Sequence, residues 1–220
     1  MNDAESRALE SGGTSSTAIY RMAVRTLKEF GPTGGLLVDV GCGKAQLWPH
    51  LADSFSDYIG ADVIRYQGYP DALKFVKVDL DTGGVPLPAG HADTVASIET
   101  IEHLENPRAF FRELVRLVRP GGVVLVTTPN QLSLVSLLCL LGRHHYRFFK
   151  EGPGLYPAHI TALLELDLIR IAQECGLGDV KIYYSNAIQI PRTVRRLPRF
   201  FRGRWFSDNL AIIGRKPPSA

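Results

Sequence analysis

Cysteine is scarce. The three residues, Cys42, Cys139 and Cys175, are odd in number and share no Cys-x-x-Cys spacing. That excludes a disulfide scaffold and a thiolate zinc module, and reads as a reduced, cytoplasmic chain. Long apolar runs are missing as well. The stretch Leu132 to Leu141 is ten residues broken by two serines, about half of the roughly 20 that a membrane-spanning helix needs. The first residues lack an apolar core, so no signal peptide is expected, and no internal repeat is found. Acids are missing between Arg192 and Arg204, where six of the 25 Lys and Arg residues lie, leaving 19 bases against 22 acids elsewhere. The net charge of +3 is therefore one local feature on an acidic body. With 45% apolar and 21% charged residues in a chain of 220, the composition excludes collagen, wholesale disorder and a membrane bundle. A chain of this size buries a core without help from disulfides or metals.

The order of predicted elements points to an α/β fold. Thr17 to Phe30 carries Ile19, Met22, Ala23 and Leu27 at helical spacing and stops at Gly31-Pro32. Leu36 to Val40 is a short apolar run read as a buried strand. Lys44 to Phe55 reads as a helix, Asp57 to Val63 as a second strand, Phe75 to Val78 as a third and Asp93 to Ile98 as a fourth. Arg108 to Val118 is amphipathic, with Phe110, Phe111, Leu114 and Leu117 on one side, and Gly121-Gly122 is expected to end it in a left-handed cap. Val123 to Thr128 reads as a fifth strand and Thr161 to Cys175 as a helix. Val180 to Tyr184 and Asn209 to Ile213 read as the last strands. Residues 1–16 are polar and expected to be loose. Strands alternating with helices give parallel pairing through right-handed crossovers, hence a doubly wound sheet that binds ligands at the carboxyl ends of its strands. One domain is expected over 17–216, with an insertion at 131–159 and a basic-aromatic segment at 191–206.

The strongest motif is Asp39-Val40-Gly41-Cys42-Gly43-Lys44. A strand ends, the chain turns tightly, and glycines without Cβ let backbone N–H groups approach a ligand. A dinucleotide fingerprint needs a third glycine where Gln46 stands, and the phosphate-loop spacing does not match. Two readings remain: the DxGxG turn of an S-adenosylmethionine (SAM) site, with Asp39 facing the ligand's cationic end, and a plain strand-to-helix turn. Acids at the next strand ends weigh against the plain turn. Asp62, followed by Val63, is placed to accept from both ribose hydroxyls. Asp79, followed by Leu80, is placed to accept from an adenine amino group.

These segments carry a resemblance. LLVDVGCGKA (36–45), IGADV (59–63), KVDLD (77–81), DTVASIETIEHLENP (93–107) and LVRPGGVVLVTTPN (117–130) are together similar to the class I SAM-dependent methyltransferases. The resemblance implies a Rossmann-like, doubly wound seven-stranded sheet with an antiparallel last strand. It implies SAM as cofactor, with Asp39, Gly41 and Gly43 on the methionine portion, Asp62 and Val63 on the ribose, and Asp79 and Leu80 on the adenine. The backbone near Ser97 and Ile98 is expected to close over the methionine end.

After the fourth strand comes Glu99-Thr100-Ile101-Glu102-His103. On a helical turn Glu99, Glu102 and His103 share one face, and two carboxylates with an imidazole suffice for a divalent metal such as Mg²⁺. A fourth ligand is sought among His144, His145 and His159. His159 is favoured because it precedes a helix returning to the sheet's ligand edge. ETIEHLENP resembles the matching stretch of quinone-biosynthesis O-methyltransferases and of small-RNA 2′-O-methyltransferases, and both resemblances imply a metal. Two other readings stay open: a metal-free site with His103 and Glu102 catalytic, and a structural cluster. A hydroxyl nucleophile needs a base or a metal, so the cluster points to an oxygen acceptor; with the resemblance, a small-molecule, quinone-like or glycan hydroxyl is expected. The alternatives are an RNA 2′-O-methyltransferase and a non-catalytic SAM-binding partner protein.

Residues 131–159 are expected to cover the acceptor, as a lid or as a surface for a greasy acceptor or a bilayer. Residues 191–206 interleave six arginines with Phe200, Phe201, Trp205 and Phe206. This segment suits an anionic membrane surface or lipid-linked substrate, a solvated loop, or, less well, nucleic acid. The expected location is cytoplasmic with peripheral membrane contact.

Overall fold

The computed structural model describes residues 3–30, 34–149, 159–189 and 201–218. Strands β1 (Leu36–Val40), β2 (Asp57–Asp62), β3 (Lys74–Lys77), β4 (Ala92–Ile98) and β5 (Val118–Pro129) pair in parallel. With β6 (Gly178–Tyr184) and β7 (Asn209–Arg215) they form one seven-stranded sheet of order β3-β2-β1-β4-β5-β7-β6. β7 runs antiparallel to both of its neighbours. The expected doubly wound α/β sheet with an antiparallel last strand is thus the fold of this chain.

Both faces of the sheet are covered, which is why its central strands are nearly continuous runs of apolar residues. On one face, Ile19, Met22 and Leu27 of α2 (Thr17–Phe30) pack with Leu37, Leu125 and Ile213. On the other, Phe110, Phe111 and Leu114 of α3 (Pro107–Leu117) and Leu168 and Ile171 of α5 (Glu165–Glu174) pack with Val38, Val95 and Val124. α3 starts on a clear signal. The Asn106 carboxamide accepts from the Ala109 N–H at 2.9 Å, and Pro107 occupies the first turn, where its missing N–H costs nothing. Two further helices, α1 (Asp3–Ser11) and α4 (Leu134–Arg143), lie outside this core. No helix among the described residues is long and apolar enough to cross a membrane.

Four local expectations differ from the structure. Residues 44–55 make turns and a short 3-10 helix at Trp48–His50, not an α-helix. Pro49 explains this, since a proline inside an α-helix removes a hydrogen bond and clashes with the preceding turn. Gly121-Gly122 does not cap α3. Val118 is already extended, and the glycines lie within β5, where a Cβ on Gly122 would press on the Asp93 carbonyl. The expected loose N-terminus holds α1, tied down by a Lys77–Glu5 ion pair at 3.0 Å and by the Tyr66 hydroxyl, which donates to the Ala8 carbonyl at 2.6 Å. The helix expected from Thr161 begins at Glu165, because residues 160 and 161 are bonded elsewhere, as described below. Gly31-Pro32, residues 150–158 of the insertion and residues 191–200 of the basic-aromatic segment lie outside the described residues.

Candidate active site at the carboxyl edge of the sheet

A cavity of about 410 Å³ opens where the parallel strands end, within the range of small-molecule sites (roughly 300–1,000 Å³). Asp39, Asp62 and Asp79 all line it, as do Gly41, Gly43 and Val63. Leu80 lines it too. Strand register explains the convergence. Asp39 faces Gly60 and Asp62 faces Lys77, so each acid lies two residues beyond the partner of the one before. A step of two keeps side chains on one face, and the acids descend the edge as a staircase. Ser97 is the exception. It is fully buried in β4 and does not line the cavity, where Ile98, Glu99 and Thr100 stand instead.

The glycine turn is packed by the chain itself. Gly41 and Gly43 have φ of +76° and +52°, a region glycine enters without penalty. A Cβ on Gly41 would collide with the Thr100 hydroxyl, and one on Gly43 with the Gly13 carbonyl. That same carbonyl accepts from the Lys44 N–H at 2.9 Å. Asp62 accepts from the N–H groups of Gly43 (2.8 Å) and Val63 (2.7 Å), latching the turn to β2. Asp39 is held differently. The Tyr58 hydroxyl donates to its Oδ2 at 2.9 Å, while its buried Oδ1 has no partner. Burial pushes the Asp39 carboxyl up to about 7. A bare, buried carboxylate oxygen calls for a partner, and beside a glycine-lined turn it fits the ammonium end of SAM.

Part of the wall has no sequence signal. Ala4, Ala8 and Ser11 of α1 line the cavity together with Ser15 and Tyr20. The Ser15 N–H donates to the Tyr20 hydroxyl at 3.0 Å. Tyr66, which holds α1, lines the cavity too.

The Glu-Glu-His cluster is arranged otherwise than its spacing suggests. Glu99 has φ +52°, and the helical turn begins only at Ile101, as a 3-10 turn over Ile101–His103. The Glu99 carboxyl turns onto neighbouring strands. Oε1 accepts from the Thr127 hydroxyl (3.3 Å) and Oε2 from the Asn209 carboxamide (2.9 Å). Glu99 therefore leaves the face expected to be shared. Glu102 is fully buried; its Oε2 accepts from the Thr128 hydroxyl at 3.1 Å and its Oε1 has no partner. Burial raises both carboxyls, and the Glu99 charge raises Glu102 further.

His159 reaches the site by a strap. The N–H groups of Ile160 and Thr161 donate to the Glu102 carbonyl (2.9 and 3.0 Å), and the Thr161 hydroxyl donates to the Leu104 carbonyl (2.7 Å). These bonds set the His159 ring edge-on to His103, with centroids 4.7 Å apart. Ligating atoms of Glu102, His103 and His159 lie within 4.8 Å of one another. His144 and His145 do not join them. His144 caps α4 in a left-handed conformation, and His145 Nδ1 is 2.8 Å from the Tyr146 carbonyl. Burial, aided by His103, pulls His159 down to about 4, and its Nδ1 is buried without a partner. The ring is neutral at pH 7 and keeps a lone pair. Two bare buried atoms and an N, N, O donor set fit a divalent ion of borderline softness.

Comparison with known proteins identifies the family. Residues 16–182 match the family model of the methyltransferase domain. A probable S-adenosylmethionine-dependent methyltransferase of Mycolicibacterium smegmatis is 33% identical over 174 residues, 74% of this chain and 66% of that protein. The ubiquinone biosynthesis O-methyltransferase of Psychrobacter cryohalolentis is 27% identical over 172 residues, 73% of this chain and again 66% of the relative. Among solved structures, a chain in the complex between the Haloferax volcanii Trm112 methyltransferase activator and a methyltransferase matches with a TM-score of 0.66 at 17% identity. That match covers 99% of both chains and speaks for the fold. With the staircase of acids, the glycine turn and a family match over three quarters of its length, the chain belongs to the SAM-dependent methyltransferase domain family.

Proposed function

We propose that the chain methylates a hydroxyl oxygen of a small-molecule, quinone-like or glycan acceptor. The observation that carries this reading is the convergence of Glu102, His103 and His159 beside the cavity that Asp39 also lines. An oxygen acceptor needs its proton removed or its pKa lowered, and an amine or thiol has less need of such a group. His103 takes the acceptor proton. Glu102, held by Thr128, keeps a carboxyl oxygen within 4.8 Å of that imidazole, and the neutral His159 ring limits its movement. The acceptor oxygen bonds to the methyl carbon, the carbon–sulfur bond breaks, S-adenosylhomocysteine leaves, and the proton ends on His103. Alignment and exclusion of water supply most of the acceleration. On the cofactor side, Asp39 Oδ1 pairs with the ammonium group of SAM. Asp62 uses its remaining lone pairs for the ribose hydroxyls, and Asp79 accepts from the adenine amino group. A divalent ion held by Glu102, His103 and His159 would lower the acceptor's pKa as a Lewis acid, and His103 would then be a ligand and not the base.

The test is transfer from labelled SAM to phenol, quinol and glycan acceptors. His103→Ala is expected to lower turnover by roughly 10²–10⁴-fold with SAM binding intact. Undiminished transfer by that variant would sink the reading. Loss of transfer on adding EDTA, restored by Mg²⁺ or Mn²⁺, would place His103 among metal ligands.

A further inference from the structure

α4 inverts the pattern of a surface helix. Its one fully buried residue is Ser136, while Leu134, Leu138 and Leu141 are 45%, 60% and 78% exposed. At 3.6 residues per turn the three leucines fall within about 60° of one another, and Ser136 lies on the opposite side. The buried serine is satisfied, since its N–H donates to the Ser133 hydroxyl and its own hydroxyl accepts from the Arg147 N–H at 3.3 Å. The helix is thus anchored by polar bonds and turns its leucines outward. Three of the six large apolar side chains exposed among the described residues lie on this face.

The surroundings are cationic. From Asn130 to Phe149 there is no acid, and Arg143 and His144 are exposed where the helix ends. The Asn130 carboxamide donates to the carbonyls of Arg204 (2.7 Å) and Ser207 (2.8 Å). This fastens the segment bearing Trp205, which is 51% exposed, to the root of α4. The sequence from Pro191 to Phe206 holds six arginines and no acid. Beyond the helix, the Phe149 ring packs on His159 at 5.3 Å, and His159 meets His103. One continuous stretch therefore runs from the leucine face to the histidine wall of the cavity.

We propose that α4 docks the protein on an anionic lipid bilayer. Leu134, Leu138 and Leu141 enter the acyl boundary, and Trp205 with the neighbouring basic residues lies among the head groups. Charge selects this occupant. A second copy would set cation against cation, whereas lipid phosphates complement a surface whose nearby acids, Asp208 and Glu165, are already paired with Arg147 and Arg204. The inference deepens the hydroxyl-transfer reading and rests on it for its purpose, delivery of an apolar acceptor to the cavity, but not for its test.

The test is cosedimentation of the full chain with phosphatidylcholine vesicles, with and without phosphatidylglycerol. Wild type is expected on the anionic vesicles, less so at high salt. L138E/L141E and the milder L138S/L141S are expected to lose partitioning by about tenfold or more, with unchanged melting and SAM titration. Docking is overturned if wild type stays off anionic vesicles or if both variants partition as wild type does. It is also overturned if the wild type forms a concentration-dependent dimer that the variants abolish. Vesicle binding without methyl transfer would sink the hydroxyl reading alone, and transfer without vesicle binding would sink docking alone.

Discussion

Asp62 and Glu99 play similar parts at two places on one cavity wall, by different means. Each has both carboxyl oxygens engaged within the protein, Asp62 by the backbone N–H groups of Gly43 and Val63, Glu99 by the side chains of Thr127 and Asn209. Beside each stands a second acid with one oxygen bare, Asp39 in the first case and Glu102 in the second. The engaged acid fixes the backbone, and the half-engaged acid has capacity left for a ligand or a proton. The difference lies in reach. The first pair is built from a local turn and its neighbouring strand. The second depends on β5 and β7, and the Asn209–Glu99 bond spans 110 positions.

The largest test of that division compares acids within the second pair. Glu102→Gln keeps the shape but removes an acid whose bare oxygen can take up or release a proton beside His103, and turnover should fall by roughly 10²-fold or more with SAM affinity unchanged. Glu99→Leu should instead appear in stability. It leaves the Asn209 amide and the Thr127 hydroxyl without their buried partner, at a cost of about 1–3 kcal/mol seen as a lower melting temperature. Equal losses of turnover in both variants would erase the distinction. Next in size is Gly43→Val. It forces a branched side chain into a left-handed residue against the Gly13 carbonyl. SAM affinity, measured by calorimetry, should drop by about 10²-fold, since strain of this kind costs about 1–3 kcal/mol before the collision is counted. Wild-type affinity in this variant would mean that the turn does not hold the cofactor.

Reach also explains what was legible in the sequence. The sheet followed from alternating apolar runs and breakers, and Asp39, Asp62 and Asp79 were found because a strand end and a glycine turn are local signals. The helix read over 44–55 overlooks Pro49, a local signal that breaks an α-helix there. Glu99 was not legible, because its left-handed backbone is stabilised by Thr127 and Asn209, which no spacing rule connects to it. α1 gave no sign either. Its polar sequence lacks an apolar stripe, and it is held by Tyr66 and Lys77, far along the chain. His159 was found by where its segment returns, although the strap that delivers it is extended and not the helix expected there. Of the expected pair Ser97 and Ile98, only Ile98 lines the cavity, because successive residues of a strand face opposite sides.

The first pair offers a finer test, because Asp39 changes protonation near neutrality. Its carboxyl is raised from the ordinary 3.8 to about 7, so between those values the folded apo protein keeps a proton that the unfolded chain has released. Stability of the apo protein should therefore fall as pH rises through that window. SAM brings positive charge to Oδ1 and prefers the ionised acid. Its affinity should climb as pH rises toward 7 and level off above, where the acid is ionised before the ligand arrives. Asp39→Asn should flatten this profile and weaken binding by about tenfold, the loss of one charge-assisted bond of about 1.5–3 kcal/mol. Tyr58→Phe is the smallest change. It removes only the hydroxyl that donates to Oδ2, a bond that favours the ionised form. The rising limb should move to higher pH, with affinity at neutrality reduced a few-fold, in keeping with roughly 1 kcal/mol for one neutral donor. Above that limb the variant should bind nearly as well as wild type. An affinity loss of the same size at every pH would mean that Tyr58 shapes the pocket instead of tuning Asp39.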